Sequence, residues 1–244
     1  MTGRSGSGRG SKVWGTQKKF PSRSHGPVRK EPPPETFNDD GDDRVVLRGE
    51  FSMEGMDEKA IAIVSRAATE AHEGQTRKDG KTPFIVHPER VAKCVAHYGG
   101  NHVGIIAAWL HDVIEDHIEG DAMVREALEE TCLPENNLHE IYAIVLALTK
   151  NPAIPGKRER FADTLDRILH APGQAILVKL CDRMDNLIDA RDQGQQFLSE
   201  YLDLTDHLIA VLSDGAIRHG YSEALGQLKV VREDLGFFYE AKFF

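Results

Sequence analysis

The sequence predicts an all-α fold, a single bundle of about eight to ten helices over residues 51–244. Apolar residues recur at helical spacing along most of this range, and strand-like alternation is sparse. Glycine or proline separates the periodic segments, as expected between helices. With 244 residues, 40% of them hydrophobic and 28% charged, the chain is long enough to bury one sizeable core.

The predicted helices have recognisable starts and stops. The first begins after Asp57, a suitable N-cap, and stops at Gly74. The second starts at His87 with a proline in its first turn and ends in Gly-Gly. The third is predicted as one continuous, strongly apolar helix over 102–116, with acids in its last turns. Further helices are predicted at 121–131, 138–149, 157–169, 173–190, 196–213 and 221–235.

Residues 1–50 form a second predicted region, a leader rich in Gly, Ser, Pro and charge. With so few apolar residues to bury, it is predicted to be disordered. The net charge of −9 is divided unevenly, about +7 on residues 1–34 and about −16 on the rest. The leader is either a flexible extension, including cloning or mis-started sequence, or a basic arm that contacts RNA or a partner. The acidic remainder argues against a broad nucleic-acid-binding face.

Cysteine usage and hydropathy predict a cytoplasmic protein. Cys94, Cys132 and Cys181 are widely spaced and form no CxxC pair, which fits a reducing compartment better than a disulfide framework. No apolar run approaches the roughly 20 residues needed to cross a bilayer. No apolar segment follows the basic N-terminal residues, so we expect no secretory signal and no membrane partner.

Residues 111–116, with the sequence HDVIED, concentrate one imidazole and three carboxylates. Residues three or four apart share a helix face, so Glu115 lies near His111 and Asp112, and Asp116 lies near Asp112. Three carboxylates this close repel one another, and a divalent cation would hold them together. The alternative is a solvated helix end, although acids at the C-terminal end of a helix oppose its dipole.

Two further segments strengthen the metal hypothesis. His87 stands at the start of a predicted helix, and Asp182 lies on an apolar helix with Asn186 four residues later on the same face. Two imidazoles and two carboxylates form a mixed N/O donor set that suits Mn²⁺, Fe²⁺, Co²⁺ or Zn²⁺ better than Ca²⁺. The alternative for Asp182 and Asn186 is that they cap or bridge helices.

Three sequence blocks carry a specific resemblance. They read AHEGQTRKDGKTPFIVHPERVA, AAWLHDVIED and VKLCDRMDNL. In order and spacing, over about residues 57–190, they resemble the HD-domain hydrolases of the RelA/SpoT type. The small stand-alone alarmone hydrolases, the Mesh1-like type, are the closest in size. HD alone is a weak signal, whereas the three blocks together are a strong one.

The resemblance implies a metal centre with acid–base groups beside it. The implied ligands, typically of manganese, are His87, His111, Asp112 and Asp182. The implied catalytic residues are Glu115 and Asp116, an acidic pair that orients water and handles protons, and Asn186. This chemistry suits a phosphoester, because a metal ion neutralises phosphoryl charge and activates water, while a carboxylate takes or relays the proton.

The resemblance also implies a nucleotide pocket, in which Arg77 contacts the base and Lys78 lies near phosphate. A planar guanidinium suits stacking and a compact ammonium suits phosphate. Lys150 and Arg158 are candidates for contact with a polyphosphate, and an exposed basic loop is the alternative for both. For His72 we expect a structural hydrogen-bonding role.

Two departures from the family pattern leave base and phosphate preference open. Asp185 and Ile188 replace the His or Tyr and the Arg that are common in relatives. Residues 191–244 are too few for the synthetase domain that follows the hydrolase in long relatives, so hydrolysis alone is predicted.

The function predicted by this resemblance is hydrolysis of the 3′-pyrophosphate of (p)ppGpp or (p)ppApp. The products would be GDP or GTP, or ADP or ATP, with pyrophosphate. One alternative is another HD-type nucleotide phosphohydrolase, either a nucleotidase or a 2′/3′-phosphatase. Another is a non-catalytic module that senses nucleotides. In each case the partner is a small-molecule nucleotide, and the oligomeric state stays open.

Overall fold

The computed structural model describes residues 58–243, and ten α-helices account for most of that range. The helices are α1 Glu58–Ala71, α2 Val86–His97, α3 His102–Leu110, α4 Val113–Asp116, α5 Gly120–Glu130, α6 Glu135–Leu148, α7 Lys157–His170, α8 Gln174–Ile188, α9 Gln195–Arg218 and α10 Ser222–Phe243. Within this range β pairing is limited to an isolated antiparallel bridge between Thr76 and Pro83. The all-α prediction is therefore confirmed, while the proposed leader and the Asp57 cap lie outside the described residues.

The prediction of one continuous helix over 102–116 is wrong. Helix α3 ends at Leu110, a turn follows at His111 and Asp112, and the short helix α4 begins at Val113. The carbonyl of Ala108 accepts a hydrogen bond from the His111 ring, with 2.7 Å between oxygen and Nδ1. This contact folds the imidazole back over the end of α3, where apolar periodicity alone predicted more helix.

Other helix boundaries differ by smaller amounts. Helix α6 begins at Glu135, directly after Pro134, rather than at 138. Helices α9 and α10 extend past their predicted ends, to Arg218 and Phe243. In both helices, apolar residues that face the bundle continue beyond the predicted ends. Their packing stabilises the additional helical turns.

Helix α8 is the centre of the bundle. It packs against α2, α3, α6, α7, α9 and α10, and most of its side chains are buried. The buried set includes the polar residues Lys179, Asp182, Arg183 and Asp185. Polar groups this deep need internal partners or a ligand, so the chemistry of the fold concentrates on this helix.

Helices α2 and α3 bring their polar ends to the same region. Seven of the nine residues of α3 are buried, and the Asn101 side chain caps its first turn by accepting from the backbone N–H of Gly104 at 3.1 Å. Helix α2 packs against both α3 and α8. His87 in the first turn of α2 and His111 after α3 consequently meet beside α8.

Gly120 fixes the position of the short helix α4. A Cβ atom at this residue would come within 2.1 Å of the carbonyl oxygen of Val113. Only glycine permits this close approach of α5 to α4, which holds Glu115 and Asp116 near the end of α3.

The described residues also bear on hydropathy and cysteine usage. None of their helices combines the length and the apolar character that a membrane crossing requires. The three cysteines are unpaired, with Cys94 and Cys181 buried and Cys132 exposed.

Candidate metal centre and active site

Three elements bring histidine and aspartate side chains to one point. His87 comes from α2, His111 from the turn after α3, and Asp182 from the middle of α8. All three are buried, and one donor atom from each lies within 4.8 Å of the others. Three of the four ligands implied by the sequence blocks are thus grouped as a metal site would need them.

Asp112, the fourth implied ligand, lies next to these three side chains. Its Oδ2 atom lies 3.1 Å from His111 Nε2 and 3.4 Å from His87 Nε2. The Oδ1 atom of Asp182 faces the same two nitrogens, at 3.9 and 3.4 Å. One oxygen of each carboxylate therefore faces both imidazole Nε2 atoms.

The hydrogen bonds of the two imidazoles fix which nitrogen can bind a cation. His87 Nδ1 lies 2.6 Å from Asp185 Oδ2, and His111 Nδ1 lies 2.7 Å from the Ala108 carbonyl. Carboxylate and carbonyl oxygens accept, so each Nδ1 donates and each Nε2 is the nitrogen that faces the cluster, where it can coordinate a cation once it is deprotonated. His111 Nε2 is buried, and within the described residues it forms no well-aligned hydrogen bond, although Asp112 Oδ2 lies 3.1 Å away. The four side chains fit a divalent transition-metal ion.

The electrostatics of the cluster favour ionised carboxylates. Burial lowers the pKa of His87, but hydrogen bonds with Asp112, Asp182 and Asp185 outweigh it and hold that pKa well above its ordinary value. Burial raises the pKa of Asp112, and the neighbouring imidazoles reverse this, so the pKa lies well below its ordinary value. A cation that binds here must displace protons from the imidazoles, since only neutral histidine coordinates metal.

Asp182 is held by two residues of its own helix. Its Oδ2 atom accepts from Lys179 Nζ at 2.8 Å, and its Oδ1 atom accepts from Asn186 Nδ2 at 2.5 Å. The structure thus places Asn186 against Asp182, on the helix face expected from their spacing. Sequence reasoning missed Lys179, although its position three residues before Asp182 on an apolar helix was an available signal.

Arg77 is bonded to acids and an amide of α8. Its Nε atom donates to Asp189 Oδ2 at 2.7 Å, and its Nη2 atom donates to Asp185 Oδ2 at 3.3 Å and Asn186 Oδ1 at 3.1 Å. Only 7% of the residue is exposed. In this structure Arg77 ties the loop before α2 to α8, and its contact with a nucleotide base stays a prediction.

Asp185 links the metal cluster to Arg77, although it occupies a position that departs from the family pattern. It is buried and faces both the His87 ring and the Arg77 guanidinium. A carboxylate in this position fixes the His87 tautomer and increases the basicity of its Nε2 atom.

Asp185→Ala is expected to lower manganese affinity by roughly 10- to 100-fold, because His87 loses the partner that orients it. Calorimetric titration with Mn²⁺ measures the change. Asp189→Ala is the matched control, since Asp189 binds the same arginine but not His87. Equal manganese affinity in the two variants would contradict the role assigned to Asp185.

The acidic pair lies on α4 with Lys150 beside it. Lys150 donates to the Glu115 carboxylate through its Nζ atom and through its backbone N–H, the latter at 3.3 Å. The pKa of Asp116 rises to about 6, because the surrounding protein partly desolvates it and Asp112 and Glu115 add negative charge. Lys150 is therefore close to the acidic pair, although in this structure its charge is matched by Glu115.

The two other residues that were predicted to contact phosphate groups, Lys78 and Arg158, lie near α9. Lys78 is exposed, and its Nζ atom lies 4.5 Å from the centre of the Phe197 ring and 5.1 Å from that of Tyr201. Arg158 pairs with Asp203 on the exposed surface between α7 and α9, at 3.3 Å. The contacts observed for Arg158 thus do not include the metal-cluster side chains.

His72 makes the kind of contact expected of it. Its Nδ1 atom lies 3.0 Å from Gln75 Oε1, and its ring packs against Phe84 at 4.6 Å between centroids. Phe84 in turn contacts the edge of the His87 ring at 5.7 Å. These rings form the wall of the cluster on the side of the loop before α2.

Comparison with known proteins places these features in a family context. Residues 65–213 match the family described as HD domain. The guanosine-3′,5′-bis(diphosphate) 3′-pyrophosphohydrolase MESH1 of Xenopus tropicalis is 34% identical over 141 residues, covering 55% of this chain and 72% of that protein. The guanosine-3′,5′-bis(diphosphate) 3′-pyrophosphohydrolase of Aquifex aeolicus (strain VF5) is 34% identical over 152 residues, covering 57% of this chain and 20% of that protein.

The fold is similar to a solved structure of a metazoan ortholog of SpoT that is described as hydrolysing ppGpp. The TM-score is 0.55 with 21% sequence identity, and the match covers 69% of this chain and 94% of the other. At this identity the similarity establishes the fold.

Proposed function

The chain belongs to the HD-domain family, and from that premise we propose that it hydrolyses the 3′-pyrophosphate of alarmone nucleotides. The substrates are (p)ppGpp or (p)ppApp, and the products are pyrophosphate with GDP or GTP, or with ADP or ATP. The observation that supports this most is the convergence of two imidazole Nε2 atoms and two aspartates on one buried point. The relatives named as 3′-pyrophosphohydrolases support the substrate class.

We propose that manganese is the cation and that four side chains hold it: His87, His111, Asp112 and Asp182. When bound, a divalent cation supplies positive charge to phosphoryl oxygens and activates water. Asn186 and Lys179 keep the Asp182 carboxylate in position through their hydrogen bonds. Loss of either partner would remove one of the two hydrogen bonds that orient this buried carboxylate.

The acidic pair on α4 handles water and protons in this proposal. Glu115 is oriented by its two hydrogen bonds from Lys150, so its carboxylate can accept from a water molecule in a fixed direction. Asp116, with a pKa near 6, can hold or release a proton close to neutral pH, as an acid–base group requires.

We also propose a cytoplasmic location, which three unpaired cysteines and a nucleotide substrate support.

The pH dependence of the rate tests Asp116. Its pKa is raised to about 6, so the carboxylate form that accepts a proton is present above this pH and is lost below it. At saturating manganese we expect the rate to rise with pH until the Asp116 carboxylate is ionised. A bound cation adds positive charge and therefore moves the end of this rise below pH 6. In Asp116→Asn the rate above this limit should fall and the rise should disappear. An unchanged rise in the variant would remove Asp116 from proton transfer.

Product identification tests the proposed reaction. Full-length protein in manganese buffer is incubated with ppGpp, pppGpp and ppApp, and pyrophosphate and phosphate are quantified separately. The proposal expects pyrophosphate together with the 5′-di- or triphosphate nucleoside. Phosphate release alone would identify another nucleotide phosphohydrolase, and tight binding without turnover would identify a sensor.

A further inference from the structure

Arg183 is a buried cation that the proposed reaction does not yet use. It follows Asp182 on α8, and only 5% of the residue is exposed. Its guanidinium carbon lies 4.3 Å from the centre of the Tyr201 ring on α9 and 5.0 Å from that of Phe161 on α7. The guanidinium therefore packs against two aromatic rings.

Two nitrogen atoms of this guanidinium have no hydrogen-bond acceptor within the described range. Arg183 Nε and Nη1 are buried and have no hydrogen-bond partner there, and Arg183 forms none of the ion pairs of that range. Burying a charged donor without an acceptor is costly. Aromatic rings contact the face of a guanidinium, but its N–H groups lie in the plane and still require an acceptor. An anionic ligand would supply one.

Lys78 adds a second cation on the same aromatic ring. Its Nζ atom lies 5.1 Å from the centre of Tyr201, and within residues 58–243 it too forms no ion pair. Its pKa is lowered, because the protein partly desolvates it and the cations Arg77 and Arg183 lie nearby. Positive charge therefore accumulates around Tyr201, with Asp182 and Asp189 as the acids that act on Lys78, in a chain whose net charge is −9.

The location of Arg183 relative to the metal cluster suits a ligand with two phosphate groups. Neighbouring residues of a helix have Cα atoms about 3.8 Å apart and side chains about 100° apart around the axis. Asp182 faces the imidazoles of α2 and α3, whereas Arg183 faces the rings of α7 and α9. A nucleotide with its scissile phosphate at the cluster can thus present a second phosphate to Arg183.

We propose that Arg183 and Lys78, arranged around Tyr201, form an anion-binding subsite for the 5′-diphosphate of the substrate. The identification of the 5′ group rests on the proposed function, because it takes the 3′ group to be the one cleaved. The anion-binding property itself rests on these two cations, neither of which forms an ion pair within residues 58–243, and on the two buried N–H groups of Arg183 that lack an acceptor there. The subsite would favour nucleotides phosphorylated at two positions over those phosphorylated at one.

Equilibrium binding of GDP, GMP and guanosine to full-length protein in manganese buffer tests the subsite. We expect GDP to bind more tightly than GMP, and GMP more tightly than guanosine. Arg183→Gln should reduce the ratio of GDP affinity to guanosine affinity by about tenfold or more, since a charge-assisted hydrogen bond is lost. Lys78→Gln should reduce the ratio as well. Arg66→Gln, which removes an exposed arginine paired with Glu130, is the control and should leave the ratio unchanged.

Arg183→Lys separates anion binding from packing, because it keeps the charge and loses the planar group. If Arg183 binds phosphate, this variant retains more of the affinity ratio than Arg183→Gln at a matched melting temperature. Equal losses for GDP and guanosine, or an unchanged ratio in Arg183→Gln, would overturn the subsite.

Failure of the subsite and failure of the proposed function give different results. Arg183-dependent GDP binding without pyrophosphate release from ppGpp would refute the function and leave the subsite. Normal hydrolysis with an unchanged KM for ppGpp in Arg183→Gln would refute the subsite and leave the function.

Discussion

Asp182→Ala is expected to abolish both manganese binding and the hydrolysis of ppGpp. The Asp182 carboxylate faces both imidazole Nε2 atoms, and no other acid of α8 shares that contact with both rings. Loss of a ligand should exceed the roughly 10- to 100-fold drop in affinity that follows loss of a ligand's hydrogen-bond partner. Removal also leaves the buried Lys179 ammonium without its carboxylate, so the helical content and the melting temperature are measured alongside.

Metal titration and pyrophosphate release from the same preparations give the result. Asp206→Ala is the control, because it removes an aspartate that pairs with Arg232 away from the cluster, and both properties should persist. His87→Ala should reproduce the Asp182→Ala result from a different helix. A folded Asp182→Ala protein that turns over ppGpp at the wild-type rate would contradict the assignment.

Glu115→Gln should retain manganese and lose roughly 10²- to 10⁴-fold in rate, the usual contribution of a general acid–base group. Glutamine preserves the shape of the side chain but cannot take a proton or balance the charge of Lys150. Single-turnover rates at saturating manganese and ppGpp measure the chemical step without a contribution from affinity.

The matched control for Glu115→Gln is Glu130→Gln. Glu130 is an exposed acid that pairs with Arg66, so its neutralisation should leave the rate unchanged. A full rate in Glu115→Gln would remove the proton-handling role assigned to Glu115, and a loss of metal binding would make Glu115 a ligand instead.

Local patterns predicted most of the fold. Apolar spacing within one helix decides which face is buried, so the buried central helix α8 and the apolar α3 could be predicted from the sequence. The proximity of Asn186 to Asp182 followed from their spacing on one helix, and their hydrogen bond agrees with it.

Contacts between distant segments could not be predicted in the same way. The hydrogen bond between His87 and Asp185 joins residues 98 positions apart, and no periodicity in the sequence reports it. The family resemblance grouped His87 with His111 and Asp182 but gave no role to Asp185, because relatives carry other residues there. The turn at His111 depends on a side-chain contact with Ala108 that helix propensity does not contain.

Anomalous diffraction from crystals grown with Mn²⁺ tests the central claim most directly, since it locates the cation. The account predicts one manganese peak per chain, bonded to Nε2 of His87 and of His111 and to a carboxylate oxygen of Asp112 and of Asp182. A manganese peak elsewhere in a preparation that releases pyrophosphate from ppGpp, or an active preparation whose four side chains bind no metal, would contradict it.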